Sequence, residues 1–309
     1  MRLLVCGCGR MGQHHVRTVR SSSDFDLVGI CDPDPQAQAW VQAQEIRSEA
    51  RLSDALERFR PDAVIVATPP SQHETCLMEC LRARCAVLAE KPLAPSLASS
   101  RRVHAAFALA GVPLVPAMVE RFNPAMMALR RLLPTLGEIR FLNVVRQGGR
   151  EPSDRSVPVG LDLAIHDLDL LAHILPEMPT WSRMSTEQGW VECAGDAGEM
   201  RIDLSACWAQ PAHRKWSLET SQGNVVVDLQ ARRLWLQERE IPCEGLDSLQ
   251  AMLGWFALCL QGDVSECGWE RLLEIQAFLE TQPITATQSI STLTSRGSRP
   301  TSMVERAGA

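Results

Sequence analysis

The stretch Leu3-Leu4-Val5-Cys6-Gly7-Cys8-Gly9-Arg10-Met11-Gly12, read with Leu27-Val28-Gly29-Ile30-Cys31-Asp32, decides the fold of this chain. An apolar run enters a G-x-G-x-x-G turn that opens a helical stretch, and a second apolar run ends on an acid 20 positions past the last glycine (32 − 12). That spacing describes strand, phosphate-cradling turn, helix and strand. Gly7 gives the tight turn, Gly9 lets the backbone approach a pyrophosphate, and Gly12 permits close helix–strand packing; Arg10 and Met11 complete the turn. The helix start offers unpaired N–H groups and the positive end of its dipole to the phosphates. A carboxylate at Asp32 accepts from an adenosine 2′-hydroxyl and repels a 2′-phosphate. Pro33-Asp34-Pro35 follow it with no Arg or Lys nearby, so the expected cofactor is NAD rather than NADP.

The same rhythm continues outward. Leu3–Cys6, Leu27–Cys31, Ala63–Ala67, Ala86–Ala89 and Leu114–Met118 read as buried strands. Helices are expected over Gly12–Arg20, Gln36–Gln44, Leu52–Phe59 (capped by Ser53 or Asp54), Thr75–Ala83 and Leu97–Leu109. Strands and helices alternating over such short connections imply a parallel sheet covered on both faces.

After about residue 120 the pattern changes. Asn123 and Pro124 read as the cap and first position of a helix to Leu133, followed by a strand over Ile139–Arg146, a polar loop over Gln147–Pro158 and a helix over Leu161–Ile174. From Trp181 to Glu238, alternating runs with Gly- and Asp-containing turns predict a large, mostly antiparallel sheet. Two helices, Leu246–Leu260 and Gly268–Glu280, follow. The fold class is thus α/β: an N-terminal Rossmann-type parallel sheet over residues 1–119, then an α+β domain over 120–284. Residues 285–309, rich in Ser, Thr and Arg, read as a disordered tail.

Bulk composition narrows the function. With 45% hydrophobic and 22% charged residues, a formal net charge of −6 and no dense Lys/Arg stripe, a nucleic-acid partner is disfavoured. No apolar run approaches the ~20 residues needed to span a bilayer. Arg2 and the early glycines interrupt any secretory signal, so a cytoplasmic location is expected. The 11 cysteines include no pair of CxxC motifs, which points to reduced thiols and no metal.

Chemistry is expected at the carboxyl ends of the parallel strands, where open α/β sheets bind ligands. Thr68, Pro69 and His73 follow one strand; Glu90, Lys91 and Pro92 follow the next. A lysine held between a buried strand and a proline suits proton-transfer work, whereas the plainer reading is a loop lysine in solvent.

The GCGRMG turn, Asp32, ATPPSQH (residues 67–73), AEKP (89–92) and Asp162-Leu-Ala-Ile-His166-Asp167 together resemble the glucose-fructose oxidoreductase / inositol dehydrogenase (Gfo/Idh/MocA) family over roughly residues 1–280. The resemblance implies a nicotinamide-dependent dehydrogenase of a sugar or polyol, with Lys91, Asp162 and His166 lining the place where nicotinamide meets substrate. It also implies a homodimer or homotetramer through the C-terminal sheet. Asp162 and His166 stand four apart and share a helix face, and an imidazole near its ordinary pKa suits removal of a hydroxyl proton. His166 is then the base, Lys91 a polarising partner and Asp162 the orienting group, with Lys91 as base the alternative. Val119–Pro124 and Arg146–Asp167 are most similar to nucleotide-sugar 3-dehydrogenases, which oxidise the 3-hydroxyl of UDP-N-acetylglucosamine, or of its uronic acid, for a following aminotransferase. Arg121, Asn123, Arg146, Arg150 and Arg155 would meet the diphosphate and sugar, since the guanidinium fork suits phosphate. A free sugar or inositol would not need those arginines, and a regulator binding dinucleotide without turnover would not need Lys91 or His166.

Overall fold

The computed structural model describes residues 1–149, 157–187, 189–262, 268–280 and 288–289. The short apolar runs of the first third become β1 (Arg2–Cys6), β2 (Asp26–Cys31), β3 (Ser48–Glu49), β4 (Ala63–Val66), β5 (Ala86–Ala89) and β6 (Leu114–Pro116). They form a six-stranded sheet in the order β3-β2-β1-β4-β5-β6, with every neighbouring pair parallel. Between them run α1 (Arg10–Arg20), α2 (Pro35–Ala43), α3 (Leu52–Phe59), α4 (Pro70–Arg82) and α5 (Leu97–Ala110). Every residue of β4 and β5 is buried. Since successive side chains alternate faces, both faces of the sheet are covered, as crossover helices require. Leu4, Ile30, Ile65 and Leu88 are fully buried, and each contributes about 1.5–3 kcal/mol on leaving water.

Two local expectations are corrected. Helix α3 begins at Leu52 with Arg51 at the cap and no capping side chain; Asp54 lies inside the first turn, where its charge favours the dipole. Strand β3 is only two residues long, too short for an apolar pattern to reveal.

The later part builds around β7 (Ile139–Gln147), β8 (Thr180–Glu187), β9 (Trp190–Ala197), β10 (Met200–Cys207), β11 (His213–Thr220), β12 (Gly223–Asp228), β13 (Arg233–Leu236), β14 (Arg239–Ile241) and β15 (Gln288–Ser289). These form a nine-stranded sheet in the order β14-β13-β12-β11-β7-β10-β9-β8-β15. Its pairings are antiparallel except β7 with β10. Leu142, Val144, Ile202, Leu204, Trp216 and Leu218 form its buried side, alternating with half-exposed residues. Helix α6 (Pro124–Leu132) is capped as expected, the Asn123 side chain accepting from the Ala125 N–H. A π-helical turn over Gly160–Ala164 leads into α7 (Ile165–Ile174). Strand β15, which pairs with β8 at the sheet edge, lies in the segment read as disordered.

Two compact units divide the chain: Met1–Met118 with Leu249–Trp269, and Val119–Ser248 with Glu270–Ala309. Helix α8 (Ser248–Gln261) therefore lies mostly in the first unit, where Phe256 stacks on Phe25 at 5.5 Å, whereas α9 (Trp269–Glu280) lies almost wholly in the second. The sequence division kept residues 120–284 as one domain. A helix's apolar pattern tells how much it must bury, not against which partner.

Candidate cofactor and catalytic residues

The turn after β1 is shaped by its glycines. Gly7 has φ +91°, and a Cβ there would lie 2.6 Å from the Ala67 carbonyl carbon; a Cβ on Gly12 would lie 1.9 Å from the Gly7 oxygen. Nothing lies within 4 Å of a Cβ built on Gly9. Gly7 and Gly12 are thus imposed by the chain's own packing, while Gly9 faces open space at the N-cap of α1. No side chain caps that helix and its first turn carries no acid. A pyrophosphate fits there, with donors directed at it and room to approach.

Asp32 follows β2 and is braced over this turn. One carboxylate oxygen accepts from the Cys8 N–H at 2.6 Å and the other from the Asp34 N–H at 2.8 Å. Two oxygens offer about four acceptor positions, so a ribose hydroxyl can still be met. Thr68 is half-buried and Pro69 exposed at the end of β4.

His73 and Glu90, expected at the cofactor, brace the loops around it. The fully buried His73 ring places Nδ1 2.8 Å from the Pro92 carbonyl and Nε2 2.9 Å from the Thr68 carbonyl, stapling the loops after β4 and β5. Burial holds its pKa below the ordinary value. Glu90 meets His15 Nε2 of α1 at 2.9 Å. Burial alone would raise the Glu90 pKa, but the His15 hydrogen bond and the charges of His15, Lys91 and His73 outweigh it and hold the carboxyl low. Lys91 follows at the carboxyl end of β5, half-buried. His15 had no distinguishing signal in the sequence beyond its place on the sheet-facing side of α1.

In the second unit, Asp162 lies in the π-helical turn and His166 is the second residue of α7. The expected single α-helix is interrupted there. The wider turn still leaves residues four apart near one face, and such insertions recur at functional sites. Trp208 Nε1 donates to an Asp162 oxygen at 2.9 Å.

Behind these residues is a buried charge cluster. Arg146 of β7 donates through Nε and Nη2 to Asp167 and through Nη1 to Glu120 at 3.1 Å. Trp216 Nε1 donates to Asp167 at 2.9 Å, and Arg214 and Asn123 donate to Glu120 at 2.9 and 3.0 Å. Arg121 forms a two-point pair with Asp169 at 2.8 and 2.6 Å. Burial would raise the Glu120 pKa; the charges of Arg146 and Arg214 reverse this and keep it low. At Arg146 burial opposes the charge, and Asp167 and Glu120 restore it.

The substrate role expected of Arg121, Asn123 and Arg146 gives way to a structural one. Their side chains are buried and bonded to acceptors of the chain itself, Arg121 Nη1 excepted, and Asn123 also donates to the Leu229 carbonyl at 2.9 Å. Arg150 and Arg155 lie outside the described residues.

Residues 1–117 match the model of an oxidoreductase family described as having an NAD-binding Rossmann fold (Gfo/Idh/MocA). The chain is 30% identical over 210 residues to an inositol 2-dehydrogenase of Rhizobium meliloti, covering 64% of this chain and 62% of that protein. It thus spans under two thirds of that curated relative. UDP-N-acetylglucosamine 3-dehydrogenase from Acidithiobacillus ferrooxidans superposes with a TM-score of 0.74 at 21% identity, covering 90% of this chain and 96% of that one. An Agrobacterium radiobacter oxidoreductase in complex with NAD+, L-tartaric acid and magnesium gives 0.76 at 17% identity, covering 91% and 94%. At these identities the two structures show the fold.

Proposed function

We propose that the chain, whose residues 1–117 match the Gfo/Idh/MocA oxidoreductase family with its NAD-binding Rossmann fold, oxidises a secondary hydroxyl of a cyclic polyol or sugar to a ketone. The observation that carries this reading is the open Gly9 turn under a braced Asp32, a cradle for NAD rather than NADP. NAD, when bound, supplies the hydride acceptor. Gly7, Gly9 and Gly12 admit the pyrophosphate and Asp32 takes the ribose. His166 accepts the hydroxyl proton, Lys91 polarises the oxygen it leaves, and Asp162 orients the substrate.

The finer reading follows the residues that remain available. A UDP-N-acetylglucosamine substrate, oxidised at its 3-hydroxyl for an aminotransferase building 2,3-diamino sugars of lipid A or surface polysaccharide, needs cations for its diphosphate. Arg121 and Arg146 are already held by carboxylates, which leaves Arg150 and Arg155 for that task. A free inositol-like ring makes no such demand and is the preferred substrate, in keeping with the inositol dehydrogenase likeness. The half-exposed face of the nine-stranded sheet, bearing Phe141, Val145, Val226 and Trp235, supports a homodimer or homotetramer through that sheet.

The test is NADH formation with myo-inositol, glucose and UDP-N-acetylglucosamine in parallel, with an aminotransferase and amino donor added to withdraw ketone from the last. Inositol turnover supports the preferred reading; turnover of the nucleotide sugar alone replaces it. No turnover on any of the three, with NAD bound, restores the regulator.

A further inference from the structure

Trp208 follows the last residue of β10 and is only half-buried, yet its surroundings are fixed. Its N–H donates to the Gly189 carbonyl at 3.1 Å, and the preceding Cys207 carbonyl accepts from the Gly148 N–H at 2.9 Å. The main chain at Trp208 is thus anchored on both sides rather than carried on a free loop. Its Nε1–H, a donor only, meets one Asp162 oxygen at 2.9 Å. That bond holds the oxygen as an acceptor and fixes the torsion of a carboxylate in the π-helical turn. An indole joins a broad apolar body to a polar tip. Here the tip is committed to Asp162 while the residue as a whole is only half-buried. Carbohydrate rings are polar at their edges and apolar on their C–H faces, so such an indole matches a ring whose hydroxyl is held by the neighbouring carboxylate.

We propose that Trp208 is a positioning and specificity residue: its N–H aims Asp162, and its ring forms the apolar wall against which a cyclic polyol or sugar lies. This rests on the dehydrogenase reading above. Two substitutions separate the roles. Trp208→Phe keeps an aromatic wall and removes the donor, and is expected to lower kcat about tenfold with KM for the polyol within about twofold. Trp208→Leu removes both, and is expected to lower kcat similarly and also raise KM about tenfold. In both, the NAD dissociation constant and the thermal midpoint stay at wild-type values, because the residue is half-exposed and lies outside the cofactor turn. If both variants keep kcat and KM within about twofold of wild type, Trp208 has no such role, although the dehydrogenase reading stands. Equal loss with a lowered thermal midpoint likewise overturns the proposal in favour of a purely structural residue. If the wild-type protein oxidises no polyol or sugar, the reading beneath the proposal fails and takes the proposal with it.

Discussion

Asp32 braces the Cys8 N–H within the glycine turn, and in the function proposed above it also presents an acceptor to a ribose. Hydrogen bonds to a charged group are worth about 1.5–3 kcal/mol. Asp32→Ala should therefore weaken NAD binding about 10- to 100-fold and narrow the preference over NADP, as titration of both dinucleotides would read. His166→Gln should leave NAD affinity unchanged and lower kcat about 10²- to 10⁴-fold, the usual contribution of a positioned base. Should it cost less than about tenfold, Lys91 becomes the base. The glycine turn and Asp32 were legible because their signal is local: a few residues fix the shape and a fixed offset fixes the acid. The arginines were not. Sequence gives Arg121 its charge but not Asp169, 48 positions away, which consumes it.

At the level of elements, the junction of β1 with α1 separates what folding demands from what binding demands. Gly9→Val should fold with an unchanged thermal midpoint, since its side chain enters open space, while NAD affinity drops at least tenfold. Gly12→Ala should lower the thermal midpoint, since its Cβ would lie 1.9 Å from the Gly7 oxygen. Calorimetry and NAD titration of the two variants would expose the contrast. Most strand and helix positions, the two-residue β3 apart, were readable from apolar period. The π-helical turn before α7 was not, because a spacing of four suits either helical form.

Across the whole molecule, the buried histidines and carboxylates make stability fall on the acid side of neutrality. Burial places His73 and His173 below 6.5, so the unfolded chain binds their protons first and stability starts to fall as pH drops past about that value. Glu90 and Glu120 are held below the usual carboxylate range. Their stabilisation is full at neutral pH and is lost as pH falls through those depressed values, steepening the decline. Thermal unfolding between pH 8 and about 3 should show this two-stage loss, with His173→Asn flattening the first stage. Within the charge cluster, Arg146→Met strands Asp167 and should cost about 3–5 kcal/mol by denaturant unfolding; Arg146→Met with Asp167→Leu should recover much of it.

The chain leaves its first unit at Met118 and returns at Leu249, so 130 residues (119 to 248) are threaded between two parts of one core. During synthesis the N-terminal sheet emerges long before Phe256, the ring that stacks on Phe25. The nucleotide-binding half begins first and finishes late, holding an open flank on the ribosome while the inserted sheet assembles. A message truncated in the second half would therefore yield an incomplete first half as well, with an exposed apolar flank that chaperones and proteases recognise.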